Sequence, residues 1–552
     1  MASLILQALK LYWRTLFLLI YPLVLLPVFL AENTPAFRCL YVVLLMAGYW
    51  VLEVLPLAVT ALIPMVLFPL MGILSTKKTS LAYMKETNMM SIGGLIIAIA
   101  VEQCNLHKRV ALHVMKIVGC SPRRLNVGLC CVTMFVSMWI SNTAAAAMMI
   151  PIMQATLTSL EEQGIIAVYG TNADRDQLSY PTEANAEENA NRKPTKITMC
   201  YFISTAYAAT IGGSGCIIGS GMNLAFKGLY ETRFPDSPGV EFSSWMLLNL
   251  PIMLVTMFFV IIWMQFHFLG LFRPNSDDAK KIKIGPEGRF IAKSIMDQQL
   301  HELGRMSFHE ICVGICFVLV VLLWFFKRPG FMKGWTEYIT DTNTGDATIA
   351  ILVVLILFLC PSKSEFIYSL SKDESKRPKS SSPSLITWKT VNQKMPWSLL
   401  FLLGGGFAMA DGSQESGMSK MIAEYLRNFG TLDKHYVMLV SCATIGLLTQ
   451  VFSSNIACAT LVIPVMADLS VISKIHPMFL MMSSALCCGY AYCLPVSTPP
   501  NAIAVAACNM PTWNVIKVGS GILVINLVVL FSIYPFYGNI IWDFDTYPEW
   551  AV

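Results

Sequence analysis

Charge is what this chain has least of. Asp, Glu, Lys and Arg make up 13% of it, against about 25% in ordinary soluble proteins, and so thin a supply of charge excludes a water-soluble globular domain over most of its length. Recognisable signatures of chemistry are missing as well. There is no G-x-x-x-x-G-K-[S/T] nucleotide loop and no H-E-x-x-H helix, and the seven histidines have no ligand-like spacing. The 16 cysteines include no C-x-x-C pair and fall mostly inside apolar runs, so they read as small buried apolar residues and not as a disulfide or metal framework. No cofactor, no metal site, no enzyme activity and no nucleic-acid partner is expected, and the missing nucleotide loop argues for a secondary carrier over a pump.

What the chain has is apolar length. Runs such as Thr15 to Leu30, Trp245 to Met264, Ile311 to Phe326 and Val518 to Phe536 are each long enough for a hydrocarbon core of about 30 Å. No small-residue cleavage pattern follows Leu30 and more spans come at once, so the first run reads as a retained helix. Hydrophilic stretches at Glu161 to Lys196, Arg273 to Arg305, Lys327 to Asp346 and Ser362 to Lys394 punctuate the pattern. The last carries the Ser- and Pro-rich run that begins at Arg377. It is basic, as is the segment holding His107, Lys108, Arg109, Arg123 and Arg124, which puts both on the cytoplasmic side.

The most informative feature is a repeat. Residues 141–153 read SNTAAAAMMIPIM and residues 454–466 read SNIACATLVIPVM, with Ser, Asn, two Ala, Ile, Pro and Met at equal offsets. Upstream stand Gly93-Gly94 in one case and Gly404 to Gly406 in the other; downstream, GSGMN ends at Asn223 and STPPN ends at Asn501. The chain therefore divides into a first half (1–272), a hydrophilic connector (273–310) and a second half (311–552). The expected fold is all-α and polytopic, with about eleven spans plus two re-entrant hairpins. The hairpins are placed near 87–105 and 396–415, each ending before its Ser-Asn helix.

Ser and Asn are poor inside helices and good at their starts, so Ser141 and Ser454 should mark helix breaks. A break inside a bilayer leaves backbone N–H groups unpaired and is tolerated only where it lines a cavity or is packed in protein. Those groups and the helix dipole form an anion site without formal charge, to which Ser141, Asn142, Thr143, Ser454 and Asn455 add hydroxyls and amides. No charged residue lies between Asn126 and Leu160. A carrier must release its cargo, which suits neutral donors better than a buried arginine fork. Glu53, Glu102 and Asp411 lie near or inside apolar runs and are further candidates. The glycine clusters either permit a tight hairpin turn or form close helix-packing surfaces.

SMWISNT at 137–143, CNLHKRVAL at 104–112, GGGFAMA at 404–410, SSNIA at 453–457 and LPVSTPPNAI at 494–503 resemble solute carrier family 13, the divalent anion/sodium symporters, over nearly the whole chain. Within that family IVGCSPRRL at 117–125 and the SSN form of the second motif look most like the insect "I'm not dead yet" branch. The resemblance implies inverted repeats, a homodimer with scaffold and transport domains in the plasma membrane, an elevator movement, and citrate, succinate and related di- and tricarboxylates as substrates. It implies substrate contacts from Ser141, Asn142, Thr143, Ser454, Asn455 and Ile456, one Ser-Asn pair per carboxylate. A cation set would comprise Ser137, Asn142, Gly213 and Asn223 in the first half and Asn455, Thr498 and Asn501 in the second. Two departures count against sodium coupling. Met222 stands where a proline is usual and Gln450 where a threonine is usual; the glutamine keeps an amide oxygen but on a longer, looser side chain. The expected activity is cation-independent, electroneutral exchange, with a sodium-coupled dicarboxylate or sulfate symporter as the alternative.

Overall fold

The computed structural model describes residues 2–30, 32–118, 121–162, 194–276, 294, 297–298, 300–329, 332–342, 344–365, 367, 377–378, 380–426 and 432–551. The larger parts of the loops expected at 161–196 and 273–305, much of the one at 362–394, and Cys120 lie outside these residues. Among the described residues the fold is helical, with one isolated bridge between Pro361 and Ser384 and no strand. Among the described residues seven helices are long and apolar enough to cross a membrane, from Lys10–Val28 to Thr512–Trp542, and four shorter apolar helices accompany them. Exposed Leu, Ile, Val and Phe side chains along these helices are what a lipid-facing surface requires.

The two halves repeat one plan. In the first, Pro122–Ser137 leads to a four-residue interruption and then Asn142–Glu162; Lys196–Gly212 leads to an interruption at 213–220, packed with the former into one break, and then Gly221–Arg233; Phe242–Phe268 follows. In the second half Lys434–Leu448, Asn455–Ile472, Pro477–Cys488, Pro499–Cys508 and Thr512–Trp542 occur in the same order. Packing between halves is reciprocal. Gly221–Arg233 lies on Asn455–Ile472 while Pro499–Cys508 lies on Asn142–Glu162, and the last long helices of the two halves lie on each other. A contact pattern that returns on exchange of the halves is the signature of a two-fold relation.

The chain reverses at the first Ser-Asn motif. Pro122–Ser137 and Asn142–Glu162 pack on each other and both pack on Lys196–Gly212. In line they would extend some 55 Å, about twice the length of that 17-residue helix, so the chain doubles back at 138–141. This corrects the expected hairpin positions: Glu86–Gln103 and Trp397–Glu415 are single continuous helices. Their glycines serve close packing. A Cβ on Gly93 would come within 2.5 Å of Ala350 Cβ, and one on Gly405 within 2.6 Å of the Ala61 carbonyl, so neighbouring helices press against bare backbone.

The acidic candidates are structural. Glu53 caps Pro35–Leu52 in a left-handed conformation, Glu102 pairs with Lys394 at 2.7 Å, and Asp411 with Lys85 at 2.9 Å. Arg109, counted above among the cytoplasmic positive charges, is buried and grips both oxygens of Glu310 at 3.1 and 3.3 Å. Asp346, 1% exposed, is held by Lys327 at 2.8 Å and Lys227 at 3.3 Å, and Glu241 and Glu231 complete that buried network.

Candidate functional site

Each Ser-Asn motif starts a helix. Ser454 is extended and its hydroxyl accepts from the Ala457 N–H; Ser141 accepts from the Ala144 N–H in the same way, both at 3.4 Å. The first turn of a helix leaves its N–H groups without intrahelical partners. With the third taken by the serine cap, the N–H groups of Asn142, Thr143, Asn455 and Ile456 remain for a ligand. Ile456 thus has a donor to offer despite its apolar side chain. All six motif residues are at least partly exposed.

The breaks meet. Ser141 lines a cleft of about 370 Å³ with Gly219, Gly221, Ile218, Trp139 and Leu399. Gly221, the first residue of its helix, lies against the Ile456 side chain and leaves no room for a Cβ. A residue of the second motif therefore abuts the cleft that the first motif lines, and no charged group among the described residues lines it. Trp139, Ile218, Gly221 and Leu399 were not identified from the sequence. Trp139 and Ile218 lie within a few residues of the first-half motifs, whereas Leu399 comes from a distant helix and carries no sequence signal.

The downstream asparagines tie their breaks identically. Asn223 Nδ2 donates to the carbonyls ten and seven residues before it, Gly213 and Cys216, both at 2.8 Å. Asn501 Nδ2 donates to Ala491 at 3.0 Å and Leu494 at 3.4 Å, the same spacing. Gly213 thus corresponds to Ala491 and Gly219 to Ser497.

Upstream the halves differ. The Ser137 hydroxyl donates to the Ala209 carbonyl at 2.5 Å, so its proton is committed and the amide nitrogen of Asn142 must face it. That nitrogen then lies 3.0 Å from Ser137 Oγ, 3.2 Å from Ala209 O and 3.3 Å from Gly219 O. The Asn142 side chain is turned into the break and not into the cleft, unlike the donor expected from the sequence. With its oxygen inward instead, the same four groups would form an oxygen cage that requires a cation. In the second half Gln450 takes the place of Ser137. Its Nε2 donates to Gly446 O at 2.7 Å and Tyr490 O at 2.6 Å, and its Oε1 accepts from the N–H groups of Tyr492 and Cys493 at 3.0 and 2.9 Å. The glutamine oxygen is therefore committed and the side chain firmly held, contrary to the looseness expected. Among the described residues, Asn455 Oδ1, Thr498 Oγ1 and Asn501 Oδ1 are buried without a partner, as is Asn223 Oδ1 in the first half.

Known proteins resemble the chain along its length. Residues 7–543 match the family described as the sodium:sulfate symporter transmembrane region. "Protein I'm not dead yet" of Drosophila melanogaster is 43% identical over 98% of this chain and 91% of its own. The Na(+)/citrate cotransporter of Mus musculus is 35% identical over 97% and 96%, and the Na(+)/dicarboxylate cotransporter 3 of the same species 34% identical over 98% and 94%. A solved structure, the YdaH transporter of Alcanivorax borkumensis, aligns with 84% of this chain and 87% of its own at 11% identity and a TM-score of 0.49, too distant to support a comparison. The chain is a multi-pass membrane transporter, not an enzyme, and belongs to the divalent anion/sodium symporters, solute carrier family 13.

Proposed function

We propose that the chain is a secondary transporter of di- and tricarboxylate anions, citrate and succinate among them, at the plasma membrane, and that it works by cation-independent, electroneutral exchange. The observation that carries this reading is a cleft, lined by Ser141 and by no charged side chain among the described residues, whose wall at Gly221 packs against Ile456 of the second motif. Paired helix starts suit an anion with a carboxylate at each end. Neutral donors in a partly open cleft hold such an anion without the grip of a buried arginine, so it can leave on the other side. Relatives named for citrate and dicarboxylate transport support the substrate class.

In this reading the halves are inverted repeats, the Ser-Asn hairpins are re-entrant, and the residues around them move as a transport domain against a scaffold within a homodimer. Ser141, Asn142, Thr143, Ser454, Asn455 and Ile456 form the substrate site, Asn142 acting by holding its helix start in place. The fully bonded Gln450 supports cation independence, because the second break is closed by the chain's own amide. Without a cation, charge balance requires exchange for another anion or movement of protons.

A sodium-coupled dicarboxylate or sulfate symporter is the second reading. It is favoured by the unpartnered oxygens of Asn455, Thr498 and Asn501 and by the oxygen cage that a turned Asn142 would make with Ser137, Ala209 and Gly219. Uptake of labelled citrate, succinate and sulfate into vesicles, in sodium and in choline, decides between them. Citrate uptake that persists in choline and ignores membrane potential is the expected result. A strict sodium requirement with inward current overturns cation independence and selects the symporter.

A further inference from the structure

A helix break frees carbonyls that must be satisfied by water, a side chain or an ion. The first break is closed by two short groups, Ser137 and Asn142, and its glycines Gly213 and Gly219 bring backbone oxygens close together: a Cβ on Gly219 would lie 2.8 Å from the Gly213 carbonyl and 2.7 Å from that of Met138. Turning one amide converts that break into a cation cage. The second break is built differently. Gln450, only 8% exposed, reaches across it and makes four hydrogen bonds. Its –NH₂ faces two carbonyls and its oxygen two N–H groups, so turning the amide would place like against like at all four contacts. This break cannot be converted by a flip.

We propose that Gln450 is a tethered substitute for an ion: its amide –NH₂ sits on the Gly446 and Tyr490 carbonyls and closes the second break permanently, so that this half of the molecule needs no cation to be transport-competent. The inference deepens the cation-independent reading and rests on it. Gln450 is a positioning residue, acting on the substrate through the 490–493 segment and the helix that begins at Asn455. It also leaves the Asn455 amide free of the closing role that Asn142 has in the first half, and Asn455 Oδ1 has no partner.

The test changes the donor into an acceptor. Gln450→Glu keeps the shape and turns two hydrogen bonds into oxygen–oxygen contacts that a cation can bridge; Gln450→Ser reproduces the short hydroxyl of the first half and opens space for an ion. The full-length chain is reconstituted in proteoliposomes, citrate uptake is measured in sodium and in choline, and melting temperature is read in both salts. The wild type is expected to give equal uptake and equal melting temperature. In at least one variant, uptake in choline should fall by about tenfold or more, as expected for two buried carbonyls losing their donors, and sodium should restore uptake and raise the melting temperature. A merely structural glutamine would give variants impaired equally in both salts. That result, or two variants with no sodium response in uptake or melting, overturns the proposal. If the wild type itself requires sodium, the cation-independent reading fails separately. The role of Gln450 then stands only if a variant's uptake rises with a steeper power of sodium concentration than the wild type's, and falls if the power is unchanged.

Discussion

The two breaks perform one task with different parts. In the first, Asn142 at the helix start turns back and closes the break with Ser137; in the second, Gln450 closes it from the preceding segment and Asn455 keeps an unpartnered oxygen. The downstream ties, Asn223 and Asn501, are alike in both. The difference teaches that the repeat preserves backbone geometry, a serine-capped helix start after each break, while leaving open which side chain holds the geometry. The halves also differ in anchoring. Lys227 ties the helix Gly221–Arg233 to Asp346, whereas four residues beyond Asn501 the corresponding position is Val505.

The largest expected effect breaks that anchoring. Asp346→Ala leaves Lys227 and Lys327 with only the partly exposed Glu231 and Glu241 as acidic partners; removing one partner of a buried ion pair costs about 3–5 kcal/mol when nothing replaces it, so a loss near the low end, about 3 kcal/mol, is expected. Denaturation of the detergent-solubilised protein should show the loss; a change within error would mean that the network is solvated and does not anchor the first half. A smaller effect sharpens the comparison of the breaks. Gly213→Ala drives a methyl into the Asn142 side chain and should cost about 1–3 kcal/mol by overpacking, with citrate uptake falling in step. The reverse exchange at the matching place, Ala491→Gly, should cost only about 0.5–1 kcal/mol of backbone entropy. Equal losses in melting temperature and uptake would remove the asymmetry between the breaks. The smallest effect concerns the one-hydroxyl difference between Thr143 and Ile456. Ile456→Thr adds a donor on the side that lacks one and should shift preference toward succinate over citrate by a few-fold, the scale of one exposed hydrogen bond; an unchanged uptake ratio would count against it.

Much of the architecture was legible in the sequence because it follows from local chemistry. Long apolar runs announce spans, and the repeated SN…IP.M pattern announces helix starts, since Ser and Asn cap helices and disfavour their interiors. The hairpins were misplaced because glycine clusters permit either a turn or close packing, and only the neighbours, Ala350 for Gly93 and Ala61 for Gly405, decide between them. The roles of Gln450 and Asn142 were not legible for a related reason. Their partners are backbone groups brought up from afar: the Ser137 hydroxyl beside Asn142 donates to Ala209, 72 residues on, and Gln450 accepts from Cys493, 43 residues on. The pairing of Arg109 was not legible because its partner, Glu310, lies 201 residues on, at the end of the connector.

The central claim is that two neutral, Ser-Asn-capped helix starts together make the anion site, and transport of labelled citrate and succinate at limiting concentration by Asn142→Ala and Asn455→Ala tests it most directly. Each variant loses either the group that holds a helix start in place or an amide beside the cleft, and no charged residue lines the cleft to take over. A lost buried contact of about 1–3 kcal/mol lowers binding at least several-fold. Both variants should reach the membrane folded, with melting temperatures that still report a cooperative transition, and take up both anions at rates lowered at least several-fold. Normal uptake of citrate and succinate by both would contradict the account.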